Sequence, residues 1–131
     1  MKNLILLVTI SLLFGSPGLA QKAQEDKIPT IGASMWINTL LKATMDNDIE
    51  LFESVCDDNM KEAITPDQLE AVSIQVSALM KEGYQKTFLG VLDRAGFKTY
   101  YWKIDFDKQG VSDMLAELSI SDKKVSGFFI R

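Results

Sequence analysis

The stretch TPDQLEAVSIQVSALMKEG, residues 65–83, predicts the central helix of the fold. Thr65 is a typical N-cap, Pro66 fits the first helical position, and Gln68 stands three residues after the cap, as in a capping box. Gly83 is the residue type that commonly follows a helix end. The apolar side chains between these signals recur at helical spacing, and they are Leu69, Val72, Val76, Leu79 and Met80. We therefore expect one amphipathic helix over residues 66–83.

Downstream of Gly83 the apolar period changes to strict alternation, which predicts β-strands. Residues 84–94 form the first strand, and Ala95-Gly96 the turn after it. In the second strand, residues 98–106, one face carries Tyr100, Trp102, Ile104 and Phe106. In the third strand, one face carries Met114, Ala116, Leu118 and Ile120, and VSGFFIR closes the chain as the fourth. Short turns between successive strands predict an antiparallel meander.

Upstream of Thr65 the sequence predicts further helices. Ser34 can cap a helix over residues 34–45, whose apolar stripe is formed by Trp36, Ile37, Leu40, Leu41 and Thr44. Asp48 and the Asp57-Asp58 pair offer N-caps for two shorter helical segments. Helices first and a meander second predict an α+β fold in which N-terminal helices pack on a four-stranded antiparallel sheet, within one domain over residues 33–131.

The first twenty residues have the three-part pattern of a secretory signal peptide. Lys2 precedes an apolar run over residues 4–14, and Gly18-Leu19-Ala20 supplies small residues before a cut after Ala20. The apolar run is too short for a spanning helix, which needs roughly twenty residues. We predict an exported protein, periplasmic or secreted, with a flexible polar leader over residues 21–32. A retained N-terminal anchor is the alternative.

The composition excludes several function classes. The chain has 131 residues, a net charge of −4, one cysteine and no histidine. Loss of residues 1–20 with Lys2 leaves 111 of the 131 residues and changes the charge from −4 to −5. Such an acidic chain predicts no nucleic-acid partner, and cleavage leaves no membrane span. A Ser-His-Asp triad, a Cys/His zinc site and an intrachain disulfide are excluded. Cys56, in a helical stretch, is predicted to be a buried thiol rather than a dimerising one.

The aspartates do not indicate a metal site. Asp46, Asp48, Asp57 and Asp58 lack the glycine and the distal glutamate of an EF-hand loop. Helix capping explains them better, because carboxylates favour helix N-termini. The sequence therefore predicts no metal and no cofactor.

Three short sequence segments resemble a known family, and the likeness covers roughly residues 34–131. They are FESVCDDNM (residues 52–60), TPDQL (residues 65–69) and KVSGFFI (residues 124–130). With the element order, they resemble the nuclear transport factor 2-like, or cystatin-like cone, superfamily. More narrowly, they resemble a small exported bacterial domain of unknown function, found alone or ahead of hydrolase domains. The resemblance implies a curved, cone-shaped sheet with space for a small ligand between helices and sheet.

Enzymes of that superfamily use a carboxylate base with a tyrosine or a protonated acid as oxyanion donor. Here Tyr100 and Trp102 are the polar-tipped aromatic residues on the inward face, and no Asp or Glu shares that face of their strand. The absence of a carboxylate from this face disfavours an enzymatic function, and the sequence predicts no catalytic residue. The candidates for lining a pocket are Trp36, Tyr100, Trp102, Phe106 and Leu118. A packed core is the alternative role for Tyr100 and Trp102, and a small-molecule binder or isomerase-like enzyme is the alternative function.

The outward face of the sheet predicts an interface. The candidates are Leu89, Tyr101, Leu115, Phe128 and Ile130. Phe128 and Ile130 face outward if the final strand buries Val125, Gly127 and Phe129, and Phe129 is the alternative to this pair. An apolar patch on an open sheet is typical of an association surface. We expect a non-enzymatic binding or interaction module that is homodimeric through this face. A monomer whose patch is solvated by nearby charged residues is the alternative, and a small apolar ligand or a cell-envelope protein is the other expected partner.

Overall fold

The computed structural model describes residues 29–131 as four helices followed by a four-stranded antiparallel open sheet. The helices are α1 (Ile31–Asp46), α2 (Ile49–Glu53), α3 (Asp58–Ala63) and α4 (Pro66–Lys81). The strands are β1 (Tyr84–Arg94), β2 (Phe97–Phe106), β3 (Met114–Ser121) and β4 (Lys124–Ile130). The predicted α+β class is therefore confirmed. The predicted signal peptide and residues 21–28 of the predicted leader lie outside the described residues.

Helix α1 begins three residues before the predicted start. Thr30 is its N-cap, and its hydroxyl oxygen accepts a hydrogen bond from the Ala33 N–H at 3.1 Å. Two residues assigned to the leader, Ile31 and Gly32, are therefore helical. Threonine caps a helix through the same oxygen as serine, so Thr30 and Ser34 offered equivalent signals. Asn47, in the left-handed region at φ 52°, ends the helix.

The capping box predicted at the start of α4 is confirmed. The Thr65 hydroxyl accepts from the Gln68 N–H at 3.2 Å, and the Gln68 side chain accepts from the Thr65 N–H at 2.9 Å. The helix packs against α1, and the Ser77 hydroxyl donates to the Met45 carbonyl at 2.8 Å across this contact. The buried stripe of α4 is Leu69, Ser73, Val76 and Met80. The predicted Val72 lies instead at the partly exposed edge of the helix.

The sheet follows chain order, β1-β2-β3-β4, and its inward face supplies much of the core. Tyr100 stands opposite Leu118, and Trp102 stands between Phe88 and Ala116. The β1–β2 turn at Ala95-Gly96 has φ values of 50° and 85°, the positive pair that a two-residue hairpin turn requires. The sheet and α1 together enclose the apolar centre of the domain.

An irregularity in β4 sets which of its side chains face inward. Ile120 pairs with Val125 and Ser119 pairs with Gly127, so Ser126 is an extra residue on the β4 side. A β-bulge of this kind shifts the alternation that follows it by one residue. Val125 and Phe128 both point inward as a result, and Ile130 joins Phe128. The prediction that Phe128 and Ile130 face outward is therefore wrong.

The start of β4 is also held by the helical layer. The Val55 carbonyl accepts from the Val125 N–H at 2.9 Å, and the Val125 carbonyl accepts from the Asp57 N–H at 2.8 Å. This places Cys56 beside Val125 in a short parallel bridge. The loop between α2 and α3 thereby covers the outer edge of β4 at its first residues. No helix in residues 29–131 is long and apolar enough to span a bilayer.

Replacing Gly83 by alanine is expected to destabilise the domain. Gly83 has φ 118°, and an added Cβ atom would stand 2.0 Å from the Asp107 Oδ2 atom. The positive φ alone costs about 1–3 kcal/mol for a residue with a side chain. Gly96→Ala is the matched control, because Gly96 also has a positive φ of 85° but meets no atom within 4 Å. Urea unfolding of both variants should show the larger loss for Gly83→Ala. Equal losses would contradict this prediction and would show that the exposed Asp107 side chain moves aside at little cost.

Candidate functional site

The inward aromatic candidates are packed in the core. Tyr100 is 5% exposed and Trp102 is 2% exposed, and their ring centroids are 6.2 Å apart. Phe88 covers Trp102 from β1 at a centroid distance of 5.3 Å. Leu118 is fully buried. The core role therefore accounts for Tyr100, Trp102 and Leu118, which line neither of the two cavities discussed below.

The surroundings of these aromatic residues are apolar. The positions opposite Tyr100 are Val91 and Leu118, and those opposite Trp102 are Phe88 and Ala116. Phe106 and Trp36, the other pocket candidates, are half-buried at the margin of the core. Burial raises the pKa of Tyr84, which stands opposite Phe106. No carboxylate stands opposite Tyr100 or Trp102 to act as a base for an enolisation.

The outer sheet face carries a wide, shallow apolar concavity of about 460 Å³. Its lining residues come from the first three strands, and they are Leu89, Gly90, Val91, Leu92, Tyr101 and Leu115. A bulge between Phe88 and Gly90 leaves Leu89 without a partner in β2 and displays its side chain. Leu89 is 57% exposed and Leu92 is 54% exposed. Large aliphatic side chains are thus presented together on an open sheet.

Phe129 extends this apolar surface to the last strand. It stands opposite Glu117, which in turn stands opposite Tyr101, and it is 61% exposed. We call the outer apolar patch the set Leu89, Leu92, Tyr101, Leu115 and Phe129. The sequence placed Leu89, Tyr101 and Leu115 outward, and their part in an interface stays a prediction. It missed Leu92, although this leucine alternates with Gly90 in the same strand, and it offered Phe129 only as the alternative to the Phe128/Ile130 pair.

The charged side chains on this face are paired with each other. Lys103 lies 3.8 Å from Asp105, and the Arg131 guanidinium forms an ion pair with the nearly buried Glu117. Arg94 donates to the Tyr101 hydroxyl at 3.4 Å. Because each carboxylate has a basic partner beside it, the outer face carries little net charge of either sign.

A second, narrower cavity of about 130 Å³ opens between the helices and the last strand. Its lining residues are Thr44, Phe52, Ile64, Leu69, Val72, Phe128, Phe129 and Ile130. The only side-chain hydroxyl among them is that of Thr44, which donates to the Leu40 carbonyl at 2.8 Å. The cavity is therefore an apolar cleft. No pattern in the sequence indicated it, because it exists only through the inward turn of Phe128 and Ile130.

Cys56 and the aspartates have structural roles. Cys56 is free and buried, and its thiol donates to the Phe52 carbonyl at 3.1 Å. Burial, with Asp57 and Glu53 nearby, raises the pKa of this thiol to about 12. Asp48 and Asp57 cap α2 and α3, which confirms the capping interpretation for these two. Across residues 29–131, no three Cys, Asp or Glu side chains come together in a way that could hold a metal ion.

Comparisons with known proteins give a likeness in structure but none in sequence. No family model matches the chain, and no curated protein matches it in sequence. Among solved structures, the chain is similar to an uncharacterized cystatin fold protein from Novosphingobium aromaticivorans. The identity is 10%, the likeness covers 74% of this chain and 95% of that one, and the TM-score is 0.41.

Proposed function

We propose that this domain is an exported, non-enzymatic protein-interaction module that forms a homodimer through its outer sheet face. The observation that carries the proposal is the outer apolar patch, which spreads over all four strands. Exposed apolar surface of this kind is costly to keep in water, and in soluble proteins it usually marks a contact surface. Export rests on the N-terminal sequence pattern alone.

The charge distribution supports a second copy as the occupant of this face. The whole chain has a net charge of −4, so most approaches between two copies are repulsive. On the outer face, however, the ion pairs of Lys103 with Asp105 and of Arg131 with Glu117 cancel, and Arg94 adds one positive charge. Two copies that approach through this face therefore meet little charge repulsion. A two-fold contact here would set the leucines of one patch against those of the other.

The core packing of the inward aromatic residues favours this proposal over the pocket alternative. A ligand in the cone would have to displace Tyr100 or Trp102 from a buried, three-ring cluster. We also propose that the chain is a member of the nuclear transport factor 2-like, or cystatin-like cone, superfamily. The support for membership is the element order, with capped helices before a four-stranded meander.

Light scattering on the purified protein tests the dimer. At tens of micromolar we expect a dimer, and we expect Tyr101→Glu to give a folded monomer, because the new carboxylate enters the middle of the outer apolar patch. Ile74→Glu is the matched control, since Ile74 is 75% exposed on α4, far from this face in the fold, and receives the same charge. A wild-type monomer, or equal dissociation by both variants, would exclude the proposed interface.

A further inference from the structure

Among residues 29–131, the outer edge of β4 beyond Val125 has no backbone hydrogen-bond partner. The Leu115 and Arg131 backbones exchange two hydrogen bonds, at 2.7 and 3.0 Å, so they form a hydrogen-bonded pair of the antiparallel ladder. Such pairs alternate along a ladder with pairs whose N–H and C=O groups point away from the neighbouring strand. The alternation turns the backbone groups of Phe128 and Ile130 outward, and β4 is an edge strand. Within residues 29–131, the backbone hydrogen bonds to this edge come from residues 55 and 57 and reach only Val125.

The same two residues line the narrow cavity with their side chains. Phe128 and Ile130 form one wall, and Ile64, Leu69 and Val72 from the helical layer form the other. At about 130 Å³ the cavity is smaller than the pockets of about 300–1,000 Å³ that hold small molecules. Its size suits one apolar side chain. An extended strand laid along the β4 edge would pair with the outward backbone groups and insert one such side chain.

The charged residues near the cleft indicate which kind of peptide strand would bind there. Residues 57–72, which supply Ile64, Leu69 and Val72 to the cavity lining, contain five acidic residues and one basic residue, Lys61. Asp58, Glu62, Asp67 and Glu70 are all exposed. The basic Arg131 at the end of β4 is engaged by Glu117. An apolar cleft with an acidic rim is complementary to an extended segment whose apolar residues are flanked by lysine or arginine.

We propose that the β4 edge and this cleft form a β-augmentation site for an extended basic peptide of a partner protein. Residues 21–28 of the chain do not suit the site, because QKAQEDKI has no net charge and its only large apolar residue, Ile28, stands three residues before α1. A second copy does not suit it either, because two acidic rims would be brought together. The site is built on the inward-facing Phe128 and Ile130 and shares only Phe129 with the outer apolar patch.

Fluorescence anisotropy with the labelled peptide Lys-Arg-Thr-Val-Leu-Val-Thr-Arg-Lys tests the proposal. We expect saturable binding by the purified protein at micromolar concentrations and by its Tyr101→Glu variant with equal affinity. Val72→Arg should weaken binding at least about tenfold, because it places a positive charge and a long side chain in the cleft. Ile74→Arg is the matched control on the same helix, outside the cleft, and should leave the affinity unchanged. Equal weakening by both variants, or no binding at hundreds of micromolar, would overturn the proposal.

Amide hydrogen exchange tests the backbone pairing. Saturating peptide should slow exchange at the Phe128 and Ile130 N–H groups, and a peptide with its lysines and arginines replaced by glutamate should not. Equal protection by the acidic peptide would overturn the charge argument. Protection of both amides in the protein alone would show that a second copy or another segment of the chain occupies the edge, and would also overturn the proposal. A monomer that binds the peptide would leave this site standing while the proposed dimer fails.

Discussion

Replacing Phe128 by aspartate is expected to unfold the domain, whereas the same substitution at Phe129 is expected to leave it folded. Phe128 faces inward and its ring centroid lies 5.9 Å from that of Phe52. Losing such a side chain from the core costs about 1.5–3 kcal/mol. Phe128 is half-buried beside the narrow cavity, and a carboxylate there adds a desolvation cost of about 1–3 kcal/mol. The sum approaches the lower end of the stability of a small domain, about 5–15 kcal/mol.

Phe129 is the matched control because it is the next residue and is 61% exposed. Far-ultraviolet circular dichroism and urea unfolding should separate the two variants clearly. The Phe129→Asp protein should keep its unfolding transition and lose self-association, since Phe129 belongs to the outer apolar patch. The reverse outcome, with Phe129→Asp unfolded and Phe128→Asp folded, would mean that β4 alternates without the bulge at Ser126.

Trp102→Ala is expected to lower the free energy of unfolding by about 3–5 kcal/mol. Trp102 is 2% exposed, and the neighbouring rings of Phe88 and Tyr100 each lose one of their two aromatic contacts when the indole is removed. Surrounding strands relax only partly around such a cavity, so the lost contacts are not recovered. The expected loss is a large share of the stability of the domain.

Trp36→Ala provides the comparison for this prediction. Trp36 was a pocket candidate on the same grounds, but it is half-buried near the start of α1. Urea unfolding monitored by circular dichroism should show a clearly smaller loss for it. Circular dichroism is preferred to fluorescence because the chain contains only two tryptophans. A loss below about 1 kcal/mol for Trp102→Ala would contradict the packed core and reopen the pocket alternative.

The sequence was most informative where the local signals agreed with each other. In α4, the capping box, the proline and the apolar stripe all pointed to one helix, which begins at Pro66 as predicted. In β2, uninterrupted alternation assigned Tyr100, Trp102 and Ile104 to one face, and all three are buried. Periodicity of this kind is a direct consequence of how side chains leave a helix or a strand.

The errors arose where a single extra residue changed the phase of a strand. Ser126 adds one residue to β4, and the phase of Phe128, Phe129 and Ile130 follows from it. Bulges depend on how two strands meet, so no property of VSGFFI on its own indicates one. The unpaired Leu89 in β1 is the same kind of feature. The sequence therefore predicted that the outer sheet face is apolar. Which residues of β4 belong to that face could be read only from the strand pairing.

The bridge between Cys56 and Val125 has a consequence for how the domain forms. It joins Cys56 of the helical layer to Val125 at the start of β4, the last of the four strands. A chain emerging from the ribosome with its N-terminus first has the helices available long before their strand partner exists. Contacts between such distant residues also slow folding, because a long loop must close before they form. The core is thus completed only when synthesis has reached β4. Until then the apolar faces of the nascent helices remain exposed and must avoid non-native contacts.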